Sequence, residues 1–236
     1  MKRNYYLVGL IVLTFFVISF LTNIIGPLVP QIIEDFDLSL TLVALLPFAF
    51  FIAYGVMSIP AGMLIEKYGE KIVMIQAFLV AFLGALLFGL FPVYHIAVIS
   101  LFLIGSGMAM LQVAINPLLR VSGGEENFAF NSVVAQLFFG LASFLSPLVY
   151  TYLVLNVGTD DSSFILSLLS NLVPENLPWI SLYWLFAFVS LLMVIVIAVS
   201  KFPVVEKNED EKVGALETHL ELLKNKNVLL FFLGIF

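Results

Sequence analysis

Carboxamides are the strongest polar groups set deep in the apolar runs of this sequence: Asn23, Gln76, Gln112, Asn116, Asn131 and Gln136. Gly105, Ala109, Gln112 and Asn116 recur at steps of four, three and four residues, which is one face of a helix. Gln136, Gly140, Ser143 and Pro147 form a second stripe of this kind, and Ser19, Asn23, Gly26 and Pro30 a third. Each amide offers both donors and an acceptor. With the rings of Tyr54 and Phe51 nearby in the sequence, such a set suits a neutral polyhydroxylated ligand. A sugar's vicinal hydroxyls need that mixture, and its C–H face packs on aromatic rings. The competing reading is that the amides bond helix to helix while Gly and Ala let backbones approach. Three parallel stripes favour a cavity.

Acid, base and metal chemistry find no footing. No Asp, Glu, Lys or His lies within an apolar run away from its ends, and Cys is absent. His95 and His219 have no partner at metal-ligand or triad spacing. No phosphate-cradling Gly loop with a following Lys is present, and no zincin helix. An enzyme needs general acids, bases or a metal at its site. The expectation is therefore no catalysis, no cofactor and no metal. A net charge of −6 also argues against a nucleic-acid partner.

The elements that carry the amides are set by composition. Of 236 residues, 62% are hydrophobic and 11% charged, against about a quarter charged in a soluble domain. Lipid is the solvent of such a chain. Apolar runs of the roughly 20 residues that a crossing helix needs fall near 5–30, 41–65, 72–91, 93–119, 128–155 and 179–200. The fold class is an all-α six-span helical bundle. The first run is too long for a signal-peptide core, and no cleavage site follows it.

The predicted organisation is a six-helix domain over 1–200, a cytoplasmic linker over 201–227 and, at 228–236, the start of a truncated seventh span. Nine residues cannot cross; either they are a stub or the chain is part of a longer protein, and the second is favoured. The linker places Leu216, Leu220 and Leu223 at helical spacing, and Phe164 to Val173 suggests a short interfacial helix. With the N-terminus in the cytoplasm, all ten Lys and Arg fall on the inner side. The loops left outside carry only acids, Glu34, Asp35, Asp37, Asp160, Asp161 and Glu175. This asymmetry predicts a multi-pass protein of the cell inner membrane with both ends of the six-span unit inside.

An internal repeat is also legible. Ile25-Gly26-Pro27-Leu28-Val29 resembles Ile115-Asn116-Pro117-Leu118-Leu119 at an offset of 90 residues. Phe50-Phe51 with Pro60 resembles Phe138-Phe139 with Pro147 at offsets of 88 and 87. Three spans separate the copies, so they cross in opposite directions, as in the inverted three-helix repeats of secondary transporters. The alternative is coincidence, since Pro and Phe are common in such helices.

Between the second and third runs stands Gly62-Met63-Leu64-Ile65-Glu66-Lys67-Tyr68-Gly69-Glu70-Lys71. It resembles the loop signature of the major facilitator superfamily, with Glu66 in place of the signature Asp and Glu70 breaking its second basic pair. The resemblance implies a gating motif of Gly62, Glu66, Lys67, Gly69 and Lys71. The acid would cap a neighbouring helix and the lysine would bridge to cytoplasmic carboxylates. Leu111-Gln112-Val113-Ala114-Ile115-Asn116-Pro117 is similar to the signature of the fucose–galactose–glucose:proton symporter family within that superfamily.

That likeness implies secondary transport of a neutral sugar by alternating access, by a chain matching the N-terminal half of a twelve-span member. Its partners would be the lipid bilayer, the sugar and the C-terminal six-span half. Asn23, Tyr54, Gln112, Asn116 and Gln136 become the expected sugar contacts. Asn23 and Gln112 stand where family members carry titratable acids, so proton coupling through these positions is not expected, because an amide cannot release a proton. The alternative function is a non-transporting membrane scaffold or sensor that keeps the six-helix half.

Overall fold

Asn4 opens the first helix by accepting a hydrogen bond from the Leu7 amide on its side chain at 3.2 Å, which satisfies one of the free N–H groups of a helix start. The computed structural model describes residues 3–159, 163–203, 205, 224–226 and 228. Span 1 is two helices, α1 (Tyr5–Asn23) and α2 (Ile25–Phe36), broken at Ile24. The break has a local cause. Pro27 has no N–H for the Asn23 carbonyl, and its ring crowds the turn before it.

Spans 2 to 5 are α3 (Leu40–Tyr68), α4 (Glu70–Leu90), α5 (Tyr94–Gly123) and α6 (Phe128–Asn156). A short α7 (Phe164–Ser170) precedes α8 (Ser181–Val199), the sixth span. Among the described residues, six segments are long and apolar enough to cross a membrane, as the composition implies. The largest departures from the sequence reading are at the ends of two spans. Span 1 continues to Phe36 and carries Glu34 and Asp35 on its helix, and span 4 continues to Gly123. Charged side chains at a helix end do not stop the helix; they stop only its apolar run.

Residues 1–205 make one compact unit and 206–236 another. The predicted linker helix at Leu216, Leu220 and Leu223 lies outside the described residues, as does all of the expected seventh-span start except Val228.

Within the first unit, span 4 packs on spans 2 and 3, span 3 on span 6, and span 1 on spans 5 and 4. Exchanging spans 1, 2 and 3 with 4, 5 and 6 turns the pair of spans 1 and 5 into the pair of spans 4 and 2. Both pairs pack closely, as the inverted repeat requires. At both crossings a small residue meets the main-chain carbonyl of a Phe-Phe pair. Gly105 lies under Phe50 O, with no room for a Cβ, and Ser19 Oγ donates to Phe139 O at 2.6 Å. Spans 2 and 5 have the smallest buried shares of the six, 28% and 17%.

The two ends of the unit differ in charge. At one end Arg3 pairs with Glu126 at 3.0 Å and Arg120 with Glu125 at 2.9 Å, and Lys67, Lys71 and Lys201 gather there. At the other end Trp179 Nε1 donates to Asp35 Oδ2 at 2.5 Å, and the Tyr94 hydroxyl donates to Leu42 O at 2.8 Å.

Candidate functional site

Three of the expected contacts meet in one cavity. Gln112 and Asn116 of span 4 and Gln136 of span 5 line a space of about 270 Å³ with Phe15, Ile115 and Phe139. Its volume is close to the lower bound of ligand pockets, about 300 Å³. Depth follows from helix rise: Phe15, Gln136 and Asn116 lie roughly 10–15 Å from the basic ends of their helices, near the middle of an apolar layer about 30 Å thick. The Asn116 amide reaches back to the Gln112 main-chain oxygen at 3.4 Å, a weak bond that leaves its own oxygen for a ligand. Asn116 and Gln136 are exposed and Gln112 is half-buried, so the cavity opens on a face of the unit.

A larger cavity, about 400 Å³, lies between spans 2 and 4 and is lined only by apolar side chains, among them Leu45, Phe48, Ile52 and Phe102. It has no polar group to orient a ligand. The amide-lined cavity is therefore the candidate site.

Asn23 and Tyr54 stand apart from it. Asn23 Nδ2 donates to the Ser19 main-chain oxygen at 2.9 Å and to Ser19 Oγ at 3.0 Å. Tyr54 packs on Phe50 and Phe51, with ring centroids 5.7 and 6.4 Å away, and its hydroxyl faces that of Thr22. Its main-chain oxygen accepts from Ser58 Oγ.

The loop between spans 2 and 3 turns on Gly69, whose φ of +80° an L side chain rarely adopts. Gly62 is buried, Glu66 is exposed, and Lys67 Nζ stands 5.1 Å from the centre of the Tyr68 ring. Among the described residues, the hydrogen-bond partners of Lys71 are main-chain oxygens. It donates to the carbonyls of Ala198 and Ser200, at the end of span 6.

A family model described as Major Facilitator Superfamily matches residues 11–236. The chain belongs to that superfamily. Its relatives include the glucose/galactose transporter of Brucella abortus (strain 2308), 32% identical over 163 residues, 67% of this chain and 40% of that protein. The L-fucose-proton symporter of Escherichia coli (strain K12) is 28% identical over 225 residues, 89% of this chain and 50% of that protein. A crystal structure titled as a Major Facilitator Superfamily transporter, FucP, in the outward conformation superposes with a TM-score of 0.69 at 27% identity. The match covers 92% of this chain and 55% of that one. The chain thus spans about half the length of the relatives it matches.

Two features of this superfamily half escaped the sequence reading. Phe15 and Phe139 supply the apolar walls of the cavity; Phe15 sits one turn before Ser19 on the same face, a spacing that could have found it. The Asp35–Trp179 contact joins residues 144 apart, and no periodicity signals it.

Proposed function

We propose that this chain is the N-terminal six-span half of a secondary transporter for a neutral sugar, a hexose or deoxyhexose of the glucose, galactose or fucose kind. The observation that carries the reading is the convergence of Gln112, Asn116 and Gln136 with Phe15 and Phe139 around one cavity. Amide donors and acceptors match ring hydroxyls, and the two phenyl rings match the sugar's C–H face. The named relatives, a glucose/galactose transporter and an L-fucose-proton symporter, support the substrate class. The sugar crosses chemically unchanged, so the protein is a carrier and not an enzyme.

The cavity opens on a face of the unit, and the relatives are about twice as long. In this reading a second six-span half covers the cavity, packing on the exposed faces of spans 2 and 5. Alternating access is then the rocking of one half against the other about a site at the shared face. The basic end, with Lys67, Lys71, Arg120 and Lys201, faces the cytoplasm of an inner membrane by the positive-inside rule. Gly62, Glu66, Lys67, Gly69 and Lys71 form the cytoplasmic gate region. The organisation is a six-helix domain over 1–200, a linker over 201–227 and the start of a seventh span over 228–236.

The test is sugar uptake by the product of the complete reading frame, purified and reconstituted in proteoliposomes. Labelled D-galactose, D-glucose and L-fucose should enter faster than L-glucose, and Gln136→Ala should slow entry of the preferred sugar. Equal leakage of all four sugars would refute the reading.

A further inference from the structure

Asn23 points its amide along its own helix. Its Nδ2 donates to Ser19 twice, to the main-chain oxygen and to the hydroxyl. The Ser19 hydroxyl in turn donates to the Phe139 carbonyl of span 5 at 2.6 Å, and Ser19 is fully buried. A hydroxyl has one hydrogen to give. By donating to Ser19 Oγ, the Asn23 amide occupies a lone pair there and leaves the hydroxyl hydrogen for Phe139. Phe139 and, three residues earlier, Gln136 form the span 5 wall of the amide-lined cavity. Phe15, one turn below Ser19 on span 1, forms the facing wall.

We infer that Asn23 is a positioning residue: through Ser19 it holds the Phe139 carbonyl, and so fixes how span 5 presents Gln136 and Phe139 to the cavity. This rests on reading the cavity as the sugar site. Asn23 does not touch the sugar in this arrangement. Its donor is permanent, since a carboxamide neither gains nor loses a proton at ordinary pH, so the relay is always made. A second hydroxyl bridge joins the same helices in the opposite sense, from buried Ser146 Oγ to Phe20 O at 3.1 Å. It does not use Asn23, and it keeps spans 1 and 5 together when the relay is cut.

This chain has no Cys, so once any cysteine beyond it is replaced by Ser, a single Gln136→Cys reports on the wall directly. In the purified full-length product, the rate at which a water-soluble maleimide labels Gln136→Cys is measured with and without Asn23→Ala, Ser19→Ala or both. Each single change should shift the rate by about 3-fold or more, and the pair should shift it no further, as expected for members of one network. Ser19→Thr, which keeps the hydroxyl, should label as the parent does. Without the cysteine, Asn23→Ala and Ser19→Ala should weaken sugar affinity equally, by about 5-fold, the worth of one hydrogen bond.

Labelling rates unchanged by both single variants would overturn the relay. So would a loss of sugar affinity in Asn23→Ala with none in Ser19→Ala, which would make Asn23 a sugar contact. If the parent protein binds no sugar, the reading of the cavity fails, while the labelling rates still decide the relay.

Discussion

Lys71 Nζ stands 2.7 Å from the main-chain oxygen of Ser200, 129 residues further along the chain, and donates a hydrogen bond to it. A second bond reaches the Ala198 oxygen at 2.8 Å. The ammonium thus sits on the last carbonyls of span 6, where a helix is short of donors and carries partial negative charge. The Tyr6 and Ser200 hydroxyls share a hydrogen bond at 2.8 Å, so span 1 joins the same knot. Lys71→Met should lower stability by about 1.5–3 kcal/mol, the range for a hydrogen bond from a charged group. Lys71→Arg should keep most of it. Thermal unfolding of the detergent-solubilised protein measures both; an unchanged midpoint in Lys71→Met would show the contact to be idle.

At the opposite end, the buried indole of Trp179 donates to Asp35 at 2.5 Å and packs edge-on against Phe36. Removing the acceptor strands a buried N–H. Asp35→Ala should therefore destabilise by about 1–3 kcal/mol, while Asp35→Asn, which keeps a carbonyl oxygen for the indole, should lose much less. Tryptophan fluorescence during unfolding reads the difference. Equal losses in the two variants would mean that the charge, and not the acceptor, matters.

The sequence carries the spans because length and apolarity decide them alone, and it carries the amide stripes because helical spacing decides which residues share a face. Gln112, Asn116 and Gln136 were legible in that way. Asn23 belongs to a stripe as regular as theirs, yet its amide is spent on Ser19. Whether a polar side chain turns to a cavity or back onto its helix depends on rotamer and neighbour, which periodicity does not encode. The same limit applies to Lys71 and Asp35, whose partners lie more than a hundred residues away.

Orientation is checked in the same background, cleared of any cysteine beyond this Cys-free half. Single cysteines at the exposed positions Tyr68 and Glu126 should be labelled by an impermeant maleimide only after the cytoplasmic face is opened. Those at Asp37 and Gly158 should be labelled on intact cells. The expectation follows from the gathering of Lys and Arg at one end. Labelling of Gly158→Cys only from the cytoplasm would overturn it.

The cavity amides give a prediction about pH. Gln112, Asn116 and Gln136 do not titrate between about pH 5 and 8, so sugar affinity arising from this half should be flat over that range. Gln112→Ala and Gln136→Ala should each weaken binding by the worth of a hydrogen bond, about 0.5–1.5 kcal/mol, with the fold's stability little changed. Titration calorimetry at several pH values measures both. Variants that lose stability while the folded fraction binds normally would make the amides helix contacts instead.

Two glycines that look equivalent in the sequence should respond in opposite ways. Gly105 in span 4 and Gly140 in span 5 each sit on a small and polar stripe. A Cβ at Gly105 would fall on the Phe50 carbonyl oxygen, and 3.1 Å from the Ala53 Cβ, so Gly105→Ala must push spans 2 and 4 apart. Overpacking of that kind costs about 1–3 kcal/mol. A Cβ at Gly140 meets nothing within 4 Å, so Gly140→Ala gains only the helix preference of Ala, up to about 1 kcal/mol. Unfolding midpoints in one detergent should therefore fall for Gly105→Ala and hold or rise for Gly140→Ala. A shared fall would mean that the face around Gly140 is covered as tightly as the crossing of spans 2 and 4. A shared tolerance would mean that this crossing is looser than the packing of Gly105 on Phe50 requires.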